Sequence, residues 1–346
     1  MTNSILKLGL HTFGDVTADE TGAPLPQAQV IRNVVEEGVL ADRVGLDFFG
    51  VGEHHREDFA VSAPDVVLAA IAGKTSQIKL GSAVTVLSSD DPVRVFERFS
   101  TLDAVSAGRA EVIVGRGSFI ESFPLFGYDL DQYEQLFEEK LQLFAELLKG
   151  GPVTWSGATR AAVTDQRVYP PLASGSLRTW VAVGGTPQSV VRAAHYGFPL
   201  MLAIIGGEPM RFASYVDLYH RALAEFGQET QPVGVHSHGY LARTDRQALD
   251  ESWPPYAEMH AKIGSERGWP PMTREQYEAG AGPEGALFVG SPETVAVKIV
   301  KVARGLGLSR FDMKYSIGSL PHERLMTSIE LYGNEVAPLV RAELAG

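Results

Sequence analysis

Leu46-Asp47-Phe48-Phe49-Gly50-Val51-Gly52-Glu53-His54-His55 is the stretch on which the fold turns. Its aromatic and aliphatic run predicts a buried strand that delivers a carboxylate and two imidazoles at its carboxyl end. Upstream, Ile5–Leu10 reads as a first strand, and Val30, Ile31, Val34, Val35 and Val39 mark a helix ending at Gly45. Downstream, Pro64 opens a helix to Thr75, and Ile78–Val84 is a third strand. Asp91-Pro92 supplies an N-cap and a first-turn proline for a helix to Ser106. Strand Ala110–Gly115 and helix Gln132–Lys149 follow. Strands Thr179–Val183, Leu200–Ile204, Val233–Leu241 and Arg310–Tyr315 alternate with further helices, the last being Pro321–Leu339. Eight principal strands, each followed by a helix, predict an α/β fold closed as a (β/α)8 TIM barrel with insertions. The expectation is one barrel domain over 1–346, interrupted around 150–177 by a hairpin or irregular loop and around 264–285 by a candidate lid. No Gly-x-Gly-x-x-Gly opens a first helix, which argues against the competing doubly wound sheet.

Composition narrows the function. The chain has 346 residues, 45% hydrophobic, with a net charge of −12 and no Lys/Arg run. Such an acidic surface repels phosphate backbones and anionic lipid, so neither nucleic acid nor membrane is an expected partner. The absence of cysteine removes disulfides and thiolate chemistry. Met1–Leu10 has no signal-peptide pattern and the longest apolar run, Phe198–Ile205, is too short for a bilayer; a cytoplasmic location is expected.

In such a barrel the carboxyl ends of the strands hold the chemistry. Gly184-Gly185-Thr186-Pro187 opens a helix after the fifth strand, a pattern that lets free amides approach a phosphate, although it also serves as a plain tight turn. Gly206-Gly207 repeats the arrangement after the sixth. Arg116 closes the fourth strand, where it can hold a phosphate or make a surface ion pair, and Ser82-Ala83-Val84 offers small side chains for a flat ring. His11, His54, His55, His236 and His238 gather at strand ends, the last two on one face of their strand. A metal is not expected, because no further carboxylates are placed to complete a ligand set. His195, His220, His260 and His322 read as helix-surface residues.

Glu53-His54-His55, Gly81–Leu87, Asp91–Arg94, Leu102-Asp103, Gly108-Arg109, Gly115-Arg116-Gly117, Gly184–Leu200 and Gly290-Ser291-Pro292, in that order, resemble the bacterial luciferase-like flavin monooxygenase family. The likeness is to a flavin-dependent oxidoreductase branch rather than to luciferase itself. It implies a homodimeric or homotetrameric barrel that takes reduced FMN from a separate NAD(P)H:flavin reductase and forms a C4a-peroxyflavin with oxygen to oxidise a small organic substrate. It implies that His54 is the catalytic base or proton donor. Ala83-Val84 matches a pair that forms a non-prolyl cis peptide behind the flavin ring. Gly185, Thr186 and Ser189 match the phosphate-binding turn, assisted by Arg116. Luciferase has Glu-Ser where this chain has Gly185-Thr186, so backbone amides should carry more of the phosphate binding here.

Strand and loop position add His55, His236, His238, Trp253 and Tyr256 as candidate substrate contacts. If the segment is extended, His54 and His55 face opposite ways and only one meets the ring. F420-dependent hydride transfer on the same fold is the alternative cofactor chemistry. A non-catalytic flavin-binding protein and a metal-dependent hydrolase are the readings from other classes.

Overall fold

A computed structural model describes residues 6–345; Ile5, the predicted start of the first strand, lies outside the described residues. Twelve strands are present: β1 Lys7–Thr12, β2 Phe48–Val51, β3 Lys79–Ser82, β4 Thr85–Val86, β5 Ala110–Gly115, β6 Val153–Trp155, β7 Val163–Gln166, β8 Arg178–Val183, β9 Leu200–Ala203, β10 Val233–Leu241, β11 Phe288–Gly290 and β12 Arg310–Lys314. Eight of them, β1-β2-β3-β5-β8-β9-β10-β12, pair in parallel and close on themselves where β12 meets β1. The short β11 extends the outer end of β10, and β6 and β7 form the antiparallel hairpin expected around 150–177.

Helices α1 Gln27–Arg43, α2 Pro64–Ala72, α3 Pro92–Val105, α4 Ser122–Leu125, α5 Tyr133–Leu148, α6 Pro187–His195, α7 Ala213–Glu225, α8 Asp245–Arg267, α9 Arg274–Ala281, α10 Pro292–Leu306, α11 His322–Leu331 and α12 Ala337–Ala345 complete the chain. Local chemistry sets their ends. Asp91 accepts from the Val93 and Arg94 amides at 2.9 and 3.3 Å, and Pro92 supplies the first-turn φ of α3. The 264–285 segment is more ordered than its loose glycines predict. Helix α8 continues to Arg267, and a Thr273–Gln276 capping box starts α9. A π turn, Tyr332–Val336, divides the last predicted helix. Among the described residues no helix is long and apolar enough to cross a membrane.

Two cores result. Val, Leu and Ile from the outer faces of the strands pack against the helix ring. Phe48, Ala83, Ile113, Trp180 and Met201 fill the barrel interior. Beneath them Arg310 lies 3.5 Å from the Phe48 ring centre and pairs with Glu111 at 2.7 Å and with Asp312, sealing the amino ends of the strands. The carboxyl ends stay open. The predicted third strand breaks after Ser82, where the Ala83–Val84 peptide is cis, and resumes as β4 paired with β5.

Glycine lets the barrel wall close tightly. A Cβ on Gly81 would lie 2.7 Å from the Glu111 carbonyl oxygen and 2.9 Å from Phe48 Cε2. The nearer obstacle is backbone and cannot rotate away. Gly81→Ala should therefore lower unfolding stability by about 1–3 kcal/mol, the usual cost of overpacking. Urea unfolding checks this, and an unchanged midpoint would mean that the wall yields.

Candidate functional site

A cavity of about 660 Å³ opens at the carboxyl ends of the strands. Strand order explains its contents. β10, β12 and β1 are neighbours, and their register aligns His238 with Lys314 and Lys314 with His11. His236, two residues before His238, also borders the cavity, while Ser237 turns the other way to donate to the Ile204 carbonyl at 2.8 Å. The His11 and His236 rings lie 4.7 Å apart.

His54 sits among aromatic rings, 4.5 Å from both Phe13 and Phe59 and 5.2 Å from Phe119. Burial pushes it down to about 3, with the Asp15 carboxylate opposing and the Lys314 ammonium assisting. His55 borders the cavity as well, in keeping with a candidate substrate contact. The strand ends at Val51, so regular alternation no longer applies beyond it. His55, not His54, pairs with Glu53: Nε2 is 2.9 Å from Oε1, while Oε2 accepts the Val86 amide at 2.9 Å. That second bond fixes the carboxylate against β4.

Lys314 was not singled out in the sequence, nor was Asp15. The ammonium donates to both Asp15 oxygens at 2.6 and 2.8 Å, and the Ser316 hydroxyl and Gly318 amide donate to the same carboxylate. Burial pushes the Asp15 carboxyl up, but Lys314, the Ser316 hydroxyl and the Gly318 amide together hold it below the usual range.

Ala83, Val84, Gly115 and Gly117 line the cavity, Gly115 packing against Val84, and Arg116, Gly184 and Gly206 line it as well. Ser82 does not reach the cavity; it is buried and its hydroxyl donates to the Ile113 carbonyl at 3.1 Å. Gly185, Thr186, Ser189 and Gly207 also fall outside the lining. Thr186 has the N-cap backbone but caps no amide, since its hydroxyl donates to Ser189 Oγ at 2.8 Å. The first amides of α6 are thus left without a side-chain cap. Added Cβ atoms at Gly184, Gly206 or Gly207 meet nothing within 4 Å, so this rim has room for a ligand group. The Arg116 guanidinium is held by Glu134, which Arg192 shares at 3.1 Å.

Over the mouth, Arg56 pairs with Glu266 of α8 at 2.6 Å, with Asp58 at 3.1 Å and with Glu121, and its guanidinium lies 4.6 Å from the Phe119 ring centre. Arg267 donates to the Ser118 carbonyl at 2.7 Å. Tyr256, Met259, His260 and Trp269 line the underside of this cover. His260 is therefore not a surface residue, and Trp253 packs on Tyr277 outside the cavity. His322 is half-buried and bonded to Glu37 at 2.8 Å, also unlike its expected position, because α11 packs on α1. Among the described residues no group of three His, Asp or Glu side chains has metal-holding geometry.

The sequence profile of the family described as luciferase-like monooxygenase matches residues 8–310. The chain belongs to that family. An alkanal monooxygenase alpha chain of Photorhabdus luminescens is 26% identical over 246 residues, covering 68% of this chain and 65% of that one. The oxygenating constituent of 3,6-diketocamphane monooxygenase from Pseudomonas putida, a type II Baeyer-Villiger monooxygenase solved with FMN, shares the fold with a TM-score of 0.76 at 19% identity, over 96% of this chain and 98% of that one. An F420-dependent secondary alcohol dehydrogenase holding an F420-acetone adduct does so with a TM-score of 0.75 at 16% identity, over 97% and 99%.

The buried histidines make stability depend on pH. In the folded protein burial pushes His54, His236 and His238 down to about 3, 4 and 3. Unfolded, they titrate near ~6.5. The unfolded chain then binds more protons between these values, so stability is fully present above about pH 7 and falls as pH drops through ~6.5 towards the folded values. Each imidazole should account for about 1 kcal/mol lost by about pH 5.5. Urea midpoints measured across that range check the sign; a midpoint that rises on acidification would show that the imidazoles are charged in the folded state.

Proposed function

We propose that the protein is a monooxygenase that uses reduced FMN and molecular oxygen to oxidise a small organic substrate, the flavin arriving from a separate NAD(P)H:flavin reductase. One observation carries this reading. The cavity sets a wall of backbone and small side chains, from Ala83, Val84, Gly115 and Gly117, in the same enclosure as a neutral imidazole, with an uncapped helix start at its rim.

The residues present fit FMN. The wall suits a flat ring. Gly184 and Gly206 leave room for a phosphate beside the α6 amides, which a helix N-terminus favours electrostatically, and Arg116 is near enough to the same cavity to contribute. When bound and reduced, FMN supplies the electrons and the oxygen activation that no side chain here can provide. The protein's part is to position, shield and manage protons. Phe13, Phe59 and Phe119 surround His54 with apolar surface and exclude water from it. Burial keeps His54 neutral at pH 7, so it can accept a proton or donate its N–H, and it does not act as a preformed imidazolium.

Hydride transfer with F420 is the second reading, supported by the shared fold. The charges favour FMN. The mouth carries Glu57, Asp58, Glu121 and Glu266 around Arg56 and Lys262. A polyglutamate tail would meet carboxylates there.

Anaerobic mixing with reduced FMN, followed by an oxygen pulse and rapid-scanning absorbance, tests the proposal. The bound flavin should reoxidise more slowly than free flavin, and His54→Ala should remove that protection by on the order of 100-fold, the usual scale for a proton-handling group. Reoxidation at the free-flavin rate, or binding of F420 in preference to FMN, would overturn it.

A further inference from the structure

The cavity floor holds more polar capacity than the chain itself satisfies. His11 is 1% exposed, yet neither of its ring nitrogens has a hydrogen-bond partner, and His238 Nδ1 is likewise buried without one. Both rings border the cavity, as does His236. A buried imidazole nitrogen left unpaired is costly, and three of them around one space mark a place where a ligand completes the bonding. Neutral imidazole offers one donor and one acceptor, which matches an oxygen atom of a small molecule.

Charge sets the class of that molecule. Lys314 is the cation at the floor, and Asp15 already engages its ammonium through both oxygens. Deeper in the barrel, Arg310 is answered by Asp312 and Glu111. At the floor two cations therefore face three carboxylates, and neither Lys314 nor Arg310 has charge to spare for an anion there. Burial also disfavours the protonated form of His11, His236 and His238, so they stay neutral hydrogen-bonding groups. Around this floor the lining includes the apolar or aromatic Phe13, Tyr256, Met259, Ile263, Trp269 and Met272, while Arg267 stands at the mouth, donating to the Ser118 carbonyl.

We propose that His11, His236 and His238 are the substrate-recognition floor, and that they select an uncharged molecule with an apolar, ring-sized body and a carbonyl or hydroxyl oxygen. The assignment rests on the flavin reading for the role of the ligand as substrate, but the binding preference does not require it. A carboxylate or sulfonate placed against this floor is disfavoured because Lys314 is already paired there, and a plain hydrocarbon because it would leave the nitrogens unpaired.

Calorimetric titration of the full chain, with and without oxidised FMN, uses four probes that share one body: acetylnaphthalene, naphthol, naphthoate and ethylnaphthalene. Acetylnaphthalene or naphthol, whichever oxygen the floor prefers, should bind at least ~10-fold more tightly than naphthoate or ethylnaphthalene, the discrimination expected when a buried polar site is left unpaired. His238→Leu and His11→Leu should each shrink that margin, and His238→Gln, which keeps a donor and an acceptor, should restore part of it should the leucine variants fold poorly. FMN affinity, followed separately by flavin fluorescence, should be unchanged in all three. Naphthoate binding best, equal affinities, or no binding by any probe would overturn the proposal, the histidines then holding only water. Discrimination without FMN binding would uphold the floor and remove the flavin reading instead.

Discussion

An ammonium enclosed at the floor of the cavity must be answered by a carboxylate, and Asp15 answers Lys314. Both side chains are 1% exposed. Removing one partner of such a pair typically costs about 3–5 kcal/mol, because the other is left charged and dry. Thr12, Ser316 and the Gly318 amide tie the pair into both sides of the seam where β1 meets β12. The pair therefore joins the first and last strands of the ring and holds the turn that presents Phe13 to His54. It also leaves the floor without net positive charge, which determines what the cavity can receive.

The two ends of the barrel have opposite roles for the same physical reason. All eight strands run in parallel, so every strand-to-helix turn lies at one end. The other end is plugged by Trp180, Phe48 and the Arg310 cluster, and nothing enters there. At the open end the turns bring together groups far apart in sequence: His11, the Glu53–His55 segment, Val84, Arg116, Gly184, Gly206 and His238. Such convergence is how a barrel holds a cofactor against side chains from several strands.

Much of this was legible in the chain. Near-continuous apolar runs alternating with amphipathic helices specify the parallel barrel, and the Asp91-Pro92 signal marks a helix start that the structure keeps. Alternation placed His236 and His238 together because they lie within a regular strand. His54 and His55 lie past the end of β2, where strand alternation does not set the side-chain directions. Gly184-Gly185-Thr186-Pro187 does open a helix, but the Thr186 hydroxyl bonds to Ser189 and caps no amide there. Asp15 and Lys314 were invisible because their meeting depends on ring closure across 299 positions. His260 faces the cavity with Tyr256, Met259 and Ile263, because this face of α8 covers the site. A weakly amphipathic helix with prolines at 254 and 255 carries little signal for which face is covered.

A crystal structure of the protein with FMN bound tests the central claim most directly. The account predicts the ring system against Ala83, Val84 and Gly115, with His54 facing it and the phosphate at the α6 start beside Gly184 and Arg116. Flavin bound elsewhere, or with its phosphate at the mouth near Arg56 and its ring over the His11–His238 floor, would contradict it.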